Sequence, residues 1–320
     1  MAKLGKRIPK GVCLFAYNTP QFDYIKLAIV ASTYVKKHLN LPVCLITDEH
    51  GEKYYDLEID SKVKEGSIDY IVTTEDNMKQ NIRGHFDSPW TEFRSQFNNS
   101  NKHKIWTYSP FEETILIDTD YIIKTNFLSH CFGGTYKGIA MFDRAMSLRN
   151  DLPHPAEQWL HEAGIKMWWS TVVYFDRSDE SKMFFDLWAH VADNYDFYQY
   201  LYNFPGKLFR TDYCVSIATH ILNGMTTGDT VSNFANRPMI NMSQKDDIIE
   251  LKDNNDWIFL CHEVAEPWKN ILVRHSLTDV HVMNKRALER HAHQVIENIF
   301  GPESIPKSWK WWENVEATNE

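Results

Sequence analysis

The sequence has no run approaching the ~18 to 20 consecutive apolar residues of a membrane-spanning helix. A soluble protein is therefore expected. Its five cysteines, Cys13, Cys44, Cys131, Cys214 and Cys261, are odd in number, far apart and without a C-x-x-C pair. Neither a disulfide framework nor a zinc knuckle is expected from such spacing. An excess of positive charge is also missing: the net charge of −9 argues against a protein that holds a long nucleic-acid footprint, although it leaves room for a local basic groove. The opening "MAKLGKRIPKG" is basic but has no apolar core of the kind a signal peptide carries. With the unpaired thiols, this gives the expectation of a cytoplasmic location. Internal repeats, low-complexity segments and long linkers are absent as well.

What remains is an ordinary globular composition over 320 residues, 43% hydrophobic and 24% charged, enough for one large domain with a substantial core. Aromatic residues are plentiful, with 11 Trp, 15 Tyr and 18 Phe. Such rings serve mostly as core and secondarily as platforms for bases and sugars.

The pattern along the chain alternates strand and helix. "GVCLFAYN" reads as a buried strand, "TPQFDYIKLAIVASTYVKKHLN" has helical periodicity, and "LPVCLITDE" and "SIDYIVTT" are further strands. A β-α-β opening of this kind implies a parallel sheet with helices on both faces, and ligands then sit beyond the carboxyl ends of the strands. Downstream, "YKGIAMFDR" and "WWSTVVYFDRS" read as strands. "PAEQWLHEAG", "DESKMFFDLWAHVADNY", "RTDYCVSIATHILNG" and "NKRALERHAHQVIENIFG" read as helices. Short strands are expected around Met239, Ile248, Trp257 and Val280. The division is one domain over residues 1–300 with elaborated loops and a loosely attached tail over 301–320.

One stretch breaks the apolar rule. In "ETILIDTDYIIKT" a buried strand, Thr114 to Ile117, runs into Asp118 and Asp120 before apolar residues resume. Extended geometry through both acids would aim two carboxylates to one side. Two such charges either raise a pKa or recruit a cation, and Mg²⁺ or Mn²⁺ favours oxygen ligands of this type.

In this context "ILIDTDYI" resembles the D-x-D motif of GT-A-fold, nucleotide-sugar-dependent glycosyltransferases, the glycogenin and bacterial galactosyltransferase group most closely. The similarity extends over "KHKIWTYSPFEETILIDTDYIIKTNFLSHCF", "MWWSTVVYFDRS" and "FRTDYCVSIATHILNG" in the order of the family's elements. It implies an α/β, Rossmann-like, mostly parallel sheet flanked by helices. It also implies a Mn²⁺- or Mg²⁺-dependent hexosyltransferase acting on a nucleotide sugar, a UDP-sugar being the expected donor. By this resemblance Asp118 and Asp120 are metal ligands, Asp120 the firmer. The third ligand is His281 or His262, with His281 favoured because Lys285 follows it by four residues. Ala16, Tyr17, Asn18 and Asp48 hold the base and ribose, while Lys104 and Lys285 meet phosphate or sugar hydroxyls. Asp212, Asp143 and Trp169 fall to the transferred sugar and acceptor. The family also implies retention of anomeric configuration, which an inverting enzyme's general base would replace.

Each residue has a plainer explanation. Asp212 suits the first turn of a helix; Tyr17 suits a sheet edge, Lys104 an exposed helix face, and each His a hydrogen-bonded core position. Two other functions compete. A sugar-nucleotide nucleotidyltransferase would carry a Gly-rich basic loop after its first strand, where this chain has "AYNTPQFDY". A non-catalytic nucleotide- or sugar-binding protein on the same scaffold is the other. The acceptor is open among a glycan, a lipid-linked precursor, a protein and a modified DNA base, and the oligomeric state is open too.

Overall fold

Strand Ile8–Phe15 (β1) is followed by helix Tyr24–Leu39 and then by strand Val43–Thr47 (β2), parallel to β1. The helix is capped at its start by the Asp23 carboxylate on the Lys26 N–H and closed by Asn40 in the left-handed conformation, both usual devices for ending a helix cleanly. Strand Tyr70–Thr73 (β3) extends the sheet in parallel. The computed structural model describes residues 7–75, 81–97, 100–151, 158–160, 164–204, 208–234, 237–263 and 265–309.

An antiparallel hairpin, Asn81–Ser88 (β4) and Thr91–Phe97 (β5), precedes strand Phe111–Ile117 (β6). A tight turn leads from β6 to Tyr121–Ile122 (β7). There follow Ile139–Phe142 (β8), Ala145–Ser147 (β9), Trp159–Leu160 (β10), Ile165–Lys166 (β11), Trp169–Phe175 (β12), Val231–Asn233 (β13) and Met239–Met242 (β14). Asp247–Leu251 (β15), Asp256–Cys261 (β16), Ile271–Ser276 (β17) and Val280–Val282 (β18) complete the strands. The main sheet has the order β13-β8-β12-β6-β1-β2-β3, and β12 alone runs against its neighbours β6 and β8. This is the mostly parallel α/β sheet expected from the sequence.

Side chains alternate between two cores, as a sheet covered on both faces requires. Val12, Leu14, Leu45, Ile115, Ile117 and Val172 enter one core, with helices Tyr24–Leu39 and Lys285–Phe300. Cys13, Cys44, Ile46, Leu116 and Val173 enter the other, with helices Asp179–Asp193 and Thr211–Leu222. All five cysteines are buried and free.

Three sequence expectations change. Within "PAEQWLHEAG", Trp159 and Leu160 form a strand paired with Lys166 and Ile165 rather than a helix; residues 155–157 and 161–163 of that stretch lie outside the described residues. The "NIRGHFDS" and "TEFRSQF" hairpin was not anticipated. The tail is not loose as far as Trp309: Ile305 and Trp309 are buried in the first core, and the Trp309 Nε1–H donates to the Tyr54 hydroxyl at 2.8 Å. Residues 310–320 lie outside the described residues. Among the described residues no helix is long and apolar enough to cross a membrane.

Candidate functional site

β6 delivers its apolar side chains to the two cores and stops at Ile117, which leaves Asp118 at the carboxyl end of a central strand. The Asp118 N–H still donates to Thr171 O at 2.9 Å, and the Tyr121 N–H folds back onto Asp118 O at 3.1 Å. The two acids therefore converge through a turn, not through the pleat of an extended strand as the sequence suggested.

The third group arrives from far along the chain. A second sheet, β7-β18-β14-β9, pairs His281 with Tyr121 in antiparallel register, and the Val282 N–H donates to Asp120 O at 2.8 Å. His281 is thereby set beside Asp120, its Nε2 lying 3.5 Å from Asp120 Oδ1. His281 Nδ1 lies 3.1 Å from Asn241 Oδ1. With Nδ1–H donating to that oxygen, the Nε2 lone pair is left for the acids' side, the orientation a metal-binding imidazole needs.

One ligand atom from each of Asp118, Asp120 and His281 lies within 4.8 Å of the others. Donor atoms on opposite sides of a Mg²⁺-sized ion are about 4 Å apart, so the three can share one cation with small side-chain movement. Two carboxylates and one imidazole form a donor set suited to Mn²⁺ or Mg²⁺.

Lysines meet both acids. Lys102 Nζ donates to Asp118 and to Ser170 O, and Lys285 Nζ donates to Asp120. Burial acts to raise the Asp120 pKa, yet the Lys285 charge and its hydrogen bond, with His281 alongside, outweigh it and hold the carboxyl below its usual range. At Asp118 burial prevails over Lys102 and pushes the carboxyl up. The two acids thus respond in opposite directions, as close like charges do. Lys285 opens helix Lys285–Phe300, where a cation opposes the helix dipole. Buried Asn284 fixes this start by accepting from the Ala287 N–H and donating to Asp246 O and Asp87 O.

Asp118, Asp120, His281, Lys102, Lys285 and Ser170 line one cleft that opens to solvent. Tyr17, Trp169 and Asp212 line it as well. Phe15 and Tyr17, two apart on and just beyond β1, share a face and stack with ring centroids 6.3 Å apart. Asp212 sits in the first turn of helix Thr211–Leu222 and accepts from the Ser170 N–H at 3.0 Å and the Ser170 hydroxyl at 2.8 Å. Burial would raise its pKa, but Arg210 and these donors lower it.

Other expected residues are turned elsewhere. Ala16 alternates away from Phe15 and Tyr17 into the core. The Asn18 side-chain Oδ1 accepts from the Ile25 N–H at 2.9 Å, and Asp48 caps helix Glu49–Glu58 on the Gly51 N–H at 2.8 Å. Lys104 is outside the cleft lining while Lys102 is inside it, because residues two apart in the 3₁₀ turn Lys102–Lys104 point in different directions. Asp143, outside the lining too, is held by Lys166 at 2.7 Å and Asn233 at 3.1 Å. His262 is not among the residues lining the cleft; its ring lies 3.2 Å from Asn270 and edge-on to Trp90.

Arg83, His85 and Arg210 line the cleft without having been foreseen. His85 lies against the rings of Phe22 and Phe93; burial, with Lys285 and Arg83 nearby, pushes its pKa down to about 3 and keeps it neutral. "NIRGHFDS" has no clean apolar period that would have marked Arg83 and His85.

No protein-family profile matches the chain, and no curated protein matches it in sequence. Its structure is similar to solved glycosyltransferases at low identity. One is the LgtC galactosyltransferase in complex with donor and acceptor sugar analogs, with 13% identity, 70% of this chain and 72% of that chain covered, and a TM-score of 0.43. Mouse xyloside xylosyltransferase 1 in its apo form gives 13% identity, 67% and 83% coverage, and 0.40. The apo glycosyltransferase GlyE of Streptococcus pneumoniae TIGR4 gives 14%, 71% and 45%, and 0.35. Scores of this size leave the function to the chemistry of the site.

Proposed function

We propose that the chain is a GT-A-type glycosyltransferase that requires Mn²⁺ or Mg²⁺ and moves a hexose from a nucleotide sugar, a UDP-sugar first, to an acceptor hydroxyl. The observation that carries this reading is the meeting of Asp118, Asp120 and His281 at the end of β6, with Lys285 beside them. A surface pair of acids would need neither a distant imidazole nor two lysines.

Asp118, Asp120 and His281 would hold the ion, and the ion supplies Lewis-acid stabilisation of a departing nucleoside diphosphate. The protein's own groups do the rest. Asn241 orients His281, and Lys102 and Lys285 keep the carboxylates in place while offering positive charge to the diphosphate. The Phe15 and Tyr17 rings provide a face for a base. Asp212, fixed by Ser170, presents its remaining lone pairs to hydroxyls of the sugar. Trp169, which also lines the cleft, borders the acceptor.

Among the described residues the carboxylates lining the cleft are Asp118, Asp120 and Asp212. The first two serve the metal, and the third is held anionic and well bonded, which makes it a weak base for an acceptor hydroxyl. Retention, with the leaving phosphate accepting the proton, fits this set best. The absence of Gly, Lys and Arg from "AYNTPQFDY" after β1 weighs against nucleotidyl transfer.

The test is release of nucleoside diphosphate from UDP-, GDP-, CDP- and ADP-linked glucose and galactose, each with Mn²⁺ or with EDTA. Metal-dependent release from one donor is the expected result. No release from any of them would overturn transfer and favour a binding protein.

A further inference from the structure

Among the described residues lining the cleft, Arg83 is the arginine or lysine without a carboxylate partner. Lys102 pairs with Asp118, Lys285 with Asp120 and Arg210 with Asp212. No ion pair joins Arg83 to an acid among the described residues. Its guanidinium carbon lies over the Phe97 ring at 5.5 Å. That contact offsets part of the cost of removing a charge from water, and not all of it.

The arm that carries Arg83 is held in place. On β4, Arg83 and His85 point inward while Ile82, 66% exposed, points outward, the alternation of a half-covered strand. At the end of this strand Asp87 accepts from Arg290 at 2.6 Å and from Asn284 Nδ2 at 3.1 Å. Beyond it the Trp90 ring meets His262. The guanidinium is therefore presented to the cleft by a fixed hairpin. Burial, and after it the neighbouring Arg210 charge, lower its pKa, while the charges of Asp212 and Asp120 act against them and offset part of the shift.

A nucleotide-sugar diphosphate carries two negative charges, which a divalent cation balances. Binding of both adds no net charge, so Asp118, Asp120 and Asp212 still match Lys102, Lys285 and Arg210 in number, and Arg83 remains in excess among the described residues. We propose that Arg83 receives an acidic group of the substrate, a carboxylate or phosphate additional to the donor diphosphate, through its planar fork of donors. The inference rests on the reading of the cleft as a nucleotide-sugar site. The acidic group can belong to the donor sugar or to the acceptor.

Two arms separate these sources. In the first, calorimetry with Mn²⁺ compares UDP-glucuronate with UDP-glucose. In the second, with UDP and Mn²⁺ present, glucuronate and glucose 6-phosphate are compared with glucose. Each is run on the wild type, Arg83→Gln and Arg83→Lys. The expected result in one arm is a preference for the acidic ligand of roughly tenfold or more in the wild type, erased in Arg83→Gln and partly kept in Arg83→Lys. Because the readout is a ratio within each variant, a general loss of affinity does not imitate it. Equal affinities in both arms, with UDP binding in the presence of Mn²⁺, would overturn the Arg83 assignment alone. Failure of UDP to bind with Mn²⁺ would overturn the nucleotide-sugar reading and this inference with it.

Discussion

Lys285 donates to Asp120 across a separation of 165 residues, and it does so from the first position of a helix, where a cation is least favoured. Its carboxylate partner is 2% exposed. A pair so placed is costly to break from one side, by about 3 to 5 kcal/mol. Lys285→Met should therefore lower stability without metal by about 3 kcal/mol, and Mn²⁺ should restore part of it by supplying the missing charge. Urea unfolding with and without Mn²⁺ reads both effects. A variant equally unstable in the two conditions would separate Asp120 from metal binding.

The choice between the two histidines is now a geometric one. His281→Ala should weaken Mn²⁺ binding at least tenfold, and Asn241→Ala should weaken it by roughly tenfold through the loosened imidazole. His262→Ala should leave it within about twofold. Electron paramagnetic resonance of free Mn²⁺ gives the three constants. A loss in His262→Ala equal to that in His281→Ala would contradict the assignment.

Much of this arrangement was readable in advance. β1, β2 and β6 announce themselves as apolar runs because both of their faces are covered, and the alternation of strand and helix fixes a parallel sheet. His281 and Lys285 were expected from the resemblance to the glycosyltransferase motifs, with His262 as the alternative, and both lie beside Asp120. The β4–β5 hairpin was not, since its half-buried face mixes Arg83, His85 and Phe93 with polar neighbours and gives no clean apolar period. Nor could the sequence distinguish Lys102 from Lys104, two lysines in one short turn whose inward direction depends on how that turn meets Asp118.

Lys124 predicts a dependence of stability on pH. It is fully buried, its ammonium has no hydrogen-bond partner among the described residues, and it lies 4.6 Å from the Trp257 ring. Burial lowers its pKa to about 7, below an unfolded value near 10.5. The unfolded chain then binds the extra proton between these values, so the penalty is full below about pH 7 and is relieved as pH rises. Lys124→Met should be more stable than the wild type by about 2 kcal/mol at pH 6.5, with the gap narrowing by pH 9. Urea unfolding at the two values checks this, and a gap independent of pH would contradict it.

The tail supplies a stability test away from the site. Trp309 is 2% exposed, donates to Tyr54 and carries Lys26 over its ring at 4.8 Å. Trp309→Ala should cost about 3 kcal/mol, seen as a lower urea midpoint. A change below about 0.5 kcal/mol would mean that the segment is not part of the core.

The central claim is a metal-dependent nucleoside diphosphate site, and thermal unfolding tests it most directly. UDP, GDP, CDP and ADP are each added with and without Mn²⁺, because a ligand that binds only the folded chain raises its melting temperature. The account predicts a rise of several degrees with one diphosphate, UDP first, that requires Mn²⁺ and disappears in Asp120→Ala. No rise with any of the four, or a rise unaffected by Mn²⁺ and by Asp120→Ala, would contradict it.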